Sequence, residues 1–203
     1  MTPERKEKLL SVLNKRQGNI TVVLENVMDP HNEAAVMRTC DSIGIQDIYI
    51  ITNRTSRKRE VGFRSGSGAK KWLTIHQFTD AKECVTELRK TYSKILTTHL
   101  SSDAVSLYDI DFTGSIALVF GNEWLGVSDE LVALADGNFI IPQMGMIQSL
   151  NISVACAITI YEAYRQKELA GHYRQPMLSI ERQAKLLTNW GFEDENYNEQ
   201  KEN

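Results

Sequence analysis

The sequence predicts an α/β domain built on a mainly parallel sheet with helices on both faces. Short β-rich runs alternate along the chain with stretches of helical period. The run 20–27 (Ile-Thr-Val-Val-Leu-Glu-Asn-Val) and the compact apolar run Ile116 to Phe120 are the plainest strands. A chain of 203 residues is long enough to bury one sizeable core.

Residues 2–17 read as a charged helix with Leu9, Leu10 and Leu13 on one side. The strand over 20–27 follows. Asp29 then stands at an N-cap with Pro30 at the first helical position, a good helix start. Val36, Cys40 and Ile43 recur at i, i+4 and i+7, so one face of this helix is buried, and Gly44 stops it. Strand 47–52 precedes a basic stretch, 53–71, which holds Gly62, Gly66 and Gly68 and reads as a loop with one helical turn. Beyond it, Trp72 to Ile75 is expected as a short strand, 79–91 as a helix and 93–98 as a strand. Ile116 to Phe120 is the next strand, 128–135 a short helix, and Asn138 to Ile141 a strand ending at Pro142. A long helix over 149–169 carries Leu150, Val154, Ile158 and Tyr161 in register. The acidic residues 192–203 are expected to fray.

Composition narrows the class. Hydrophobic residues at 42% and charged residues at 24% are the balance of an ordinary globular protein. No run approaches the roughly 18 apolar residues of a membrane span, and no apolar stretch follows the charged N-terminus, so a cytoplasmic protein is expected. Cys40, Cys84 and Cys156 are odd in number and lie far apart, which fits neither a disulfide framework nor a thiolate zinc site. His31, His76, His99 and His172 show no metal-ligand spacing, and no metal is expected. The chain also lacks a dinucleotide fingerprint, a phosphate loop and a nucleophile elbow. Hydrolase, kinase and metalloenzyme readings lose most of their support.

The net charge of −3 hides an asymmetry. Arg5, Lys6, Lys8, Lys15 and Arg16 crowd the first twenty residues, and Arg54, Arg57, Lys58, Arg59, Arg64, Lys70 and Lys71 face only Glu60 between 53 and 71. From charge alone, a phosphate-binding face and a pair of solvated surface segments fit equally well.

Ligands of parallel α/β sheets bind at the carboxyl ends of strands, so the loops after the strands are the place to look. Four are unusually polar or glycine-rich: Asp29 to Cys40, Thr97 to Ser102, Leu118 to Ser128 and Ile140 to Val154. Read singly, Asn32 is a helix-end hydrogen bonder, Arg38 a surface ion pair, and Thr98 and His99 part of a polar turn. An apolar strand running into Gly121-Asn122-Glu123 places a carboxylate at the sheet's rim. In the last loop Ser149 is expected to cap a helix whose first turn holds Asn151 and Ser153, offering free N–H groups to a ligand.

Together, three segments are specific. Asn32-x5-Arg38, Phe120-Gly121-Asn122-Glu123-x2-Gly126 and Ile141-Pro142-x-Met144-Gly145-x3-Ser149-Leu150-Asn151-x-Ser153-Val154, in this order and spacing, resemble the three motifs of the SpoU/TrmH RNA 2′-O-ribose methyltransferases of the SPOUT superfamily. The resemblance covers about residues 5–170 and implies a C-terminal deep trefoil knot, an exception to the rule that chains do not thread loops. It implies a basic N-terminal helix (1–18), a catalytic domain (19–170) and a helical C-terminal extension with an acidic tail (171–203). It further implies S-adenosyl-L-methionine as cofactor, a homodimer, and tRNA as partner. Family members usually carry a further N-terminal RNA-binding domain, for which this length leaves no room, and that favours the family's tRNA guanosine-18 enzymes.

By the same resemblance, Thr98, His99, Leu100, Gly121, Asn122, Ile141, Met146, Ser149 and Leu150 would cradle the cofactor. Arg38 would stabilise charge on the attacking 2′-oxygen, with Asn32 and Ser149 positioning ribose or phosphate, and Glu123 and Asn151 holding the loops. Arg5, Arg16, Arg54, Arg57, Lys58, Arg59, Arg64 and Lys70 would contact the RNA backbone, giving salt-dependent affinity. Another tRNA position, ribosomal RNA, or a non-catalytic RNA-binding module of the same fold stay open as alternatives.

Overall fold

The computed structural model describes residues 1–53, 68–101, 103–147 and 149–192. The expectations for Arg54, Arg57, Lys58, Arg59, Arg64 and the acidic tail beyond 192 therefore lie outside the described residues. Seven parallel strands form one sheet: β1 (Ile20–Glu25), β2 (Asp47–Ile51), β3 (Thr74–Phe78), β4 (Lys94–Thr98), β5 (Val105–Ser106), β6 (Ile116–Phe120) and β7 (Gly137–Ile140). Their spatial order is β3-β2-β1-β6-β4-β7-β5. Val22 of β1 lies beside Ile48 of β2 and Leu118 of β6, which fixes the central register.

The helices are α1 (Pro3–Leu13), α2 (Pro30–Ser42), α3 (Ala81–Leu88), α4 (Asp129–Leu134), α5 (Ile152–Leu169) and α6 (Ile180–Asn189). Strand side chains alternate between two cores, as a period of two requires. Val22, Leu24, Leu118 and Phe120 pack with Val36 and Cys40 of α2 and Cys156 and Ile160 of α5. Val23, Tyr49 and Val119 pack with Cys84 and Leu88 of α3 and Leu131 of α4. The face of α2 expected to be buried is buried. Gly44 ends that helix's turn at φ +85°, where a Cβ would come within 2.5 Å of the Lys15 carbonyl oxygen.

A third cluster joins Leu9 and Leu13 of α1 to Leu186, Leu187 and Trp190 at the other end of the chain. Arg16 belongs to this clasp. It is fully buried, donates to Asp41 Oδ1 at 2.6 Å and to the Ile45 carbonyl at 3.2 Å, and lies over the Trp190 ring. Its expected place among the RNA contacts is therefore corrected: the side chain is enclosed inside the protein. Arg5 is exposed and Lys70 half-buried. A buried Asp47 binds His76 and Arg182, tying α6 to the edge of the sheet.

Other expectations shift by a few residues. β1 stops at Glu25 because Asn26 turns to φ 51° and gives its N–H to the Ile51 carbonyl. β3 begins at Thr74, after a 3-10 turn over Lys70–Trp72, and the two-residue β5 had no signal in the sequence. The long helix starts at Ile152, not at 149. Asn151 is its N-cap, with Oδ1 accepting from Ser153 N–H at 2.8 Å, so Ser149 lies upstream and does not cap it.

Helix α5 has two apolar rows. Ile152, Cys156, Ile160 and Ala163 face the core, whereas Val154 and Tyr161 of the expected row are 46% and 49% exposed. Near its end, Gln166 accepts from Phe112 N–H and donates to the Ile110 carbonyl, and Lys167 donates to the Gly114 carbonyl at 2.8 Å. Burial pushes the Lys167 ammonium down to about 8 from an ordinary 10.5, against the opposing pull of Asp111. Between those two pH values the unfolded chain binds the proton that the folded chain has released, so folding stability gains as pH rises from about 8 to about 10.5. Urea denaturation of wild type and Lys167→Met in parallel checks this. The stability difference, wild type minus variant, is expected to increase across that window and to be flat below it.

Among the described residues no helix is long and apolar enough to cross a membrane, and no group of three or more His, Cys, Asp or Glu residues is placed to hold a metal ion.

Candidate active site at the strand carboxyl ends

The site grows from the ends of β1, β6 and β7, where apolar strands give way to polar loops. After β6, Gly121 leads into a tight turn closed by two 2.9 Å backbone bonds between Asn122 and Gly126. Asn122 Oδ1 accepts from Trp124 N–H at 3.0 Å and Leu125 N–H at 3.1 Å, and its Nδ2 donates to the Asn26 carbonyl at 2.8 Å. Gly126 sits at φ +69°, a conformation natural to glycine.

The turn aims Glu123 across the rim at the start of α2. Its carboxylate accepts from the backbone N–H groups of Met28 at 2.9 Å and Asp29 at 3.2 Å, and from Asn32 Nδ2 at 2.9 Å. Asn32 Oδ1 in turn accepts from Asn151 Nδ2 at 3.1 Å, and Asn151 caps α5. One chain of hydrogen bonds thus ties all three motif segments, across 91 and 119 residues of sequence. Burial raises the Glu123 pKa, but the donors from Met28, Asn32 and Asp29 outweigh it and hold the carboxyl below its ordinary range. An ionised carboxylate saturated with donors is a brace, not a proton acceptor in waiting.

Beside this brace opens a cleft of about 590 Å³. Thr98, His99, Leu100, Gly121, Asn122, Ile141, Ser149 and Leu150 line it, together with Glu123 and Asn151. Met146, expected with them, is not in its wall and is 98% exposed. The loop after β4 is held in place from both sides. Thr98 Oγ1 donates to the Val119 carbonyl at 3.1 Å, Thr97 Oγ1 donates to Asn138 Oδ1 at 2.6 Å, and Asn138 donates to Ser101 Oγ.

Arg38 is not in the cleft wall. It is exposed on α2 and makes no hydrogen bond or ion pair among the described residues. It lies one turn before Ser42, whose hydroxyl is 3.3 Å from Tyr161 OH on the exposed row of α5. Two contributors had escaped the sequence reading. Glu25 Oε2 accepts from Ser128 N–H at 2.8 Å, anchoring the start of α4, and Asn26 bonds Asn122 and pairs reciprocally with Asn53. The available signal was Glu25-Asn26 ending an apolar strand, the same pattern as Gly121-Asn122-Glu123.

Comparison with known proteins places this geometry. The SpoU rRNA Methylase family matches residues 19–161, a span that contains every member of the Glu123–Asn32–Asn151 chain. The protein is 40% identical over 189 residues to the tRNA (guanosine(18)-2′-O)-methyltransferase of Thermus thermophilus, over 93% of this chain and 96% of that one. It is similar to the crystal structure of the A. aeolicus TrmH/SpoU tRNA modifying enzyme, with a TM-score of 0.82, 38% identity and coverage of 95% and 97%. It is also similar to an AdoMet-bound rRNA methyltransferase from Sinorhizobium meliloti, with a TM-score of 0.65, 28% identity and coverage of 77% and 59%. The segments carrying the brace, the turn and the cleft all fall inside the matched region, and the chain belongs to the SpoU rRNA methylase family.

Proposed function

We propose that this protein is an S-adenosylmethionine-dependent RNA 2′-O-methyltransferase that modifies the ribose of guanosine-18 in the D-loop of cytoplasmic tRNA. The observation that carries the reading is the Glu123–Asn32–Asn151 brace set against a cleft of cofactor size. Membership in the family supports the reaction class. Near-complete two-way coverage against the tRNA enzyme, compared with 59% of the ribosomal-RNA enzyme's chain, supports tRNA as the substrate.

The cleft suits S-adenosylmethionine. Its volume lies within the roughly 300–1,000 Å³ of small-molecule sites. Gly121 lies in the cleft wall where the Gly126–Val127 backbone closes against it, and Thr98, His99, Leu100, Ile141, Ser149 and Leu150 would hold the ligand. When bound, S-adenosylmethionine supplies a methyl group already activated on a sulfonium. The protein's own task is alignment of the 2′-hydroxyl and stabilisation of its developing negative charge. Arg38 takes the second role with a substrate phosphate, since a guanidinium offers donors and no acceptor and so does not serve as a base. Asn32 and Ser149 position the ribose.

An arginine outside its own cleft calls for a neighbour. A homodimer closed through the exposed Val154 and Tyr161 of α5, with Leu150 just before its N-cap, would bury that face and bring Arg38, one turn from Ser42, to the seam. Membership in the family, and the likeness to the TrmH/SpoU structure over 95% of this chain, support the C-terminal trefoil knot. The clasp of α1 and α6 supports a division into an N-terminal helix (1–18), a catalytic unit (19–170) and a C-terminal extension (171–203). Arg5, Lys70 and the cations of the 54–64 stretch supply the RNA contacts.

Incubation with labelled S-adenosylmethionine and total tRNA, followed by mapping of the methylated nucleotide, tests the assignment. Label confined to guanosine-18 is expected. Label at another tRNA position, or in ribosomal RNA alone, overturns the substrate, and no transfer at all leaves only an RNA-binding module. Sedimentation at micromolar concentration is expected to give twice the 23.0 kDa of one chain.

A further inference from the structure

We propose that Trp124 is the stacking platform for the unpaired nucleobase of the nucleotide whose ribose is methylated, an inference that rests on the methyltransferase reading above. Trp124 is 89% exposed and forms part of the cleft wall. The other two tryptophans are engaged with each other, Trp72 and Trp190 meeting edge to face at 5.6 Å. A large aromatic ring exposed at the mouth of a cleft, beside the exposed Leu100 and Leu125, makes an apolar patch of the kind that marks a binding surface.

Its backbone is fixed before any partner arrives. The Trp124 N–H donates to Asn122 Oδ1 at 3.0 Å, within the turn closed by the paired Asn122–Gly126 bonds. The residue just before it, Glu123, is braced to Asn32, on the side where the target ribose would lie. A nucleotide presenting its 2′-hydroxyl there must leave its stack, and its base, attached to that same ribose, needs a new π-face within one nucleotide's reach. Leu125 and Leu100, 62% and 71% exposed at the same mouth, extend the apolar rim. A stacking face accepts any base. Trp124 therefore holds the flipped nucleotide, and the choice of guanosine is made by other groups.

The experiment uses the full-length protein with Trp124→Ala, Trp124→Leu and Trp124→Phe, each assayed for tRNA methylation, tRNA affinity, S-adenosylmethionine affinity by calorimetry, and sedimentation mass. Trp124→Ala and Trp124→Leu are expected to lower tRNA affinity tenfold or more, while Trp124→Phe stays within threefold of wild type. S-adenosylmethionine affinity and mass are expected not to change. On a tRNA made abasic at position 18, wild type and Trp124→Ala should bind alike. The intrinsic fluorescence of the wild type should be quenched by intact tRNA, and that component should be missing from Trp124→Phe. Additive losses on the abasic tRNA, or equal behaviour of the leucine and phenylalanine variants, overturn the proposal. A change in cofactor affinity or in mass also overturns it, by giving the ring to the cofactor or to a second copy of the chain. A wild type that does not methylate tRNA refutes the earlier reading instead. A wild type that methylates while Trp124→Ala is indistinguishable from it refutes this one alone.

Discussion

Arg38→Ala is expected to lower kcat by about 10²–10³-fold while leaving S-adenosylmethionine affinity nearly unchanged, by analogy with removal of one preorganised donor from an oxyanion site. The separation follows from position. Arg38 is exposed on α2 and absent from the cleft wall, so nothing that would bind the cofactor loses a partner. It has no hydrogen bond or ion pair among the described residues, so its removal strands no buried group and the melting temperature should hold. The same loss should appear with Arg38→Lys, because a point charge does not reproduce a planar fork that meets phosphate and oxyanion together. Single-turnover methylation and calorimetry on both variants check the point. An alanine variant that keeps more than a tenth of the rate removes Arg38 from the chemistry.

Gly121→Ala should disable the site by another route. A Cβ at this position would stand 2.1 Å from the Gly126 carbonyl carbon and 2.2 Å from both the Gly126 oxygen and the Val127 nitrogen. These are backbone atoms, so no rotamer relieves the clash and the turn itself must open. The paired Asn122–Gly126 bonds would go first. With them go the two N–H donations to Asn122 Oδ1 and the aim of Glu123 at Asn32. A destabilisation of about 3 kcal/mol is expected, at the upper end of ordinary overpacking, with S-adenosylmethionine binding lost. Gly126→Ala is the instructive companion. No atom lies within 4 Å of its added Cβ, and its cost comes only from φ +69°, about 1 kcal/mol. Chemical denaturation and calorimetry should therefore rank Gly121→Ala well above Gly126→Ala. Equal effects would mean that the turn tolerates expansion.

Apart from the two-residue β5 and helix α6, the strands and helices were legible because each announces itself locally. Apolar runs such as 116–120, the Asp29-Pro30 helix start, and the Val36, Cys40, Ile43 row need no distant information, and they are found where the period places them. The three motif segments were legible too, because their spacing within each segment is a property of the chain alone. Distance between segments is not. That Glu123 reaches Asn32, and Asn32 reaches Asn151, depends on β1 lying beside β6 and on where α5 starts. Only the folded sheet decides that. The same limit explains the corrections. Charge says that Arg16 is cationic, but only packing shows that Asp41, Ile45 and Trp190 enclose it. Periodicity picked out the Leu150, Val154, Ile158 and Tyr161 row and passed over the row of Ile152, Cys156, Ile160 and Ala163 that faces the core. The sheet took the Cys156 row and left Val154 and Tyr161 in water, because α5 packs against α2 on one side only. Local composition therefore determined most of the elements and which residue types stand at the strand ends. Tertiary contact determined which of those residues meet, since meeting is a matter of distance in space and the sequence records only distance along the chain.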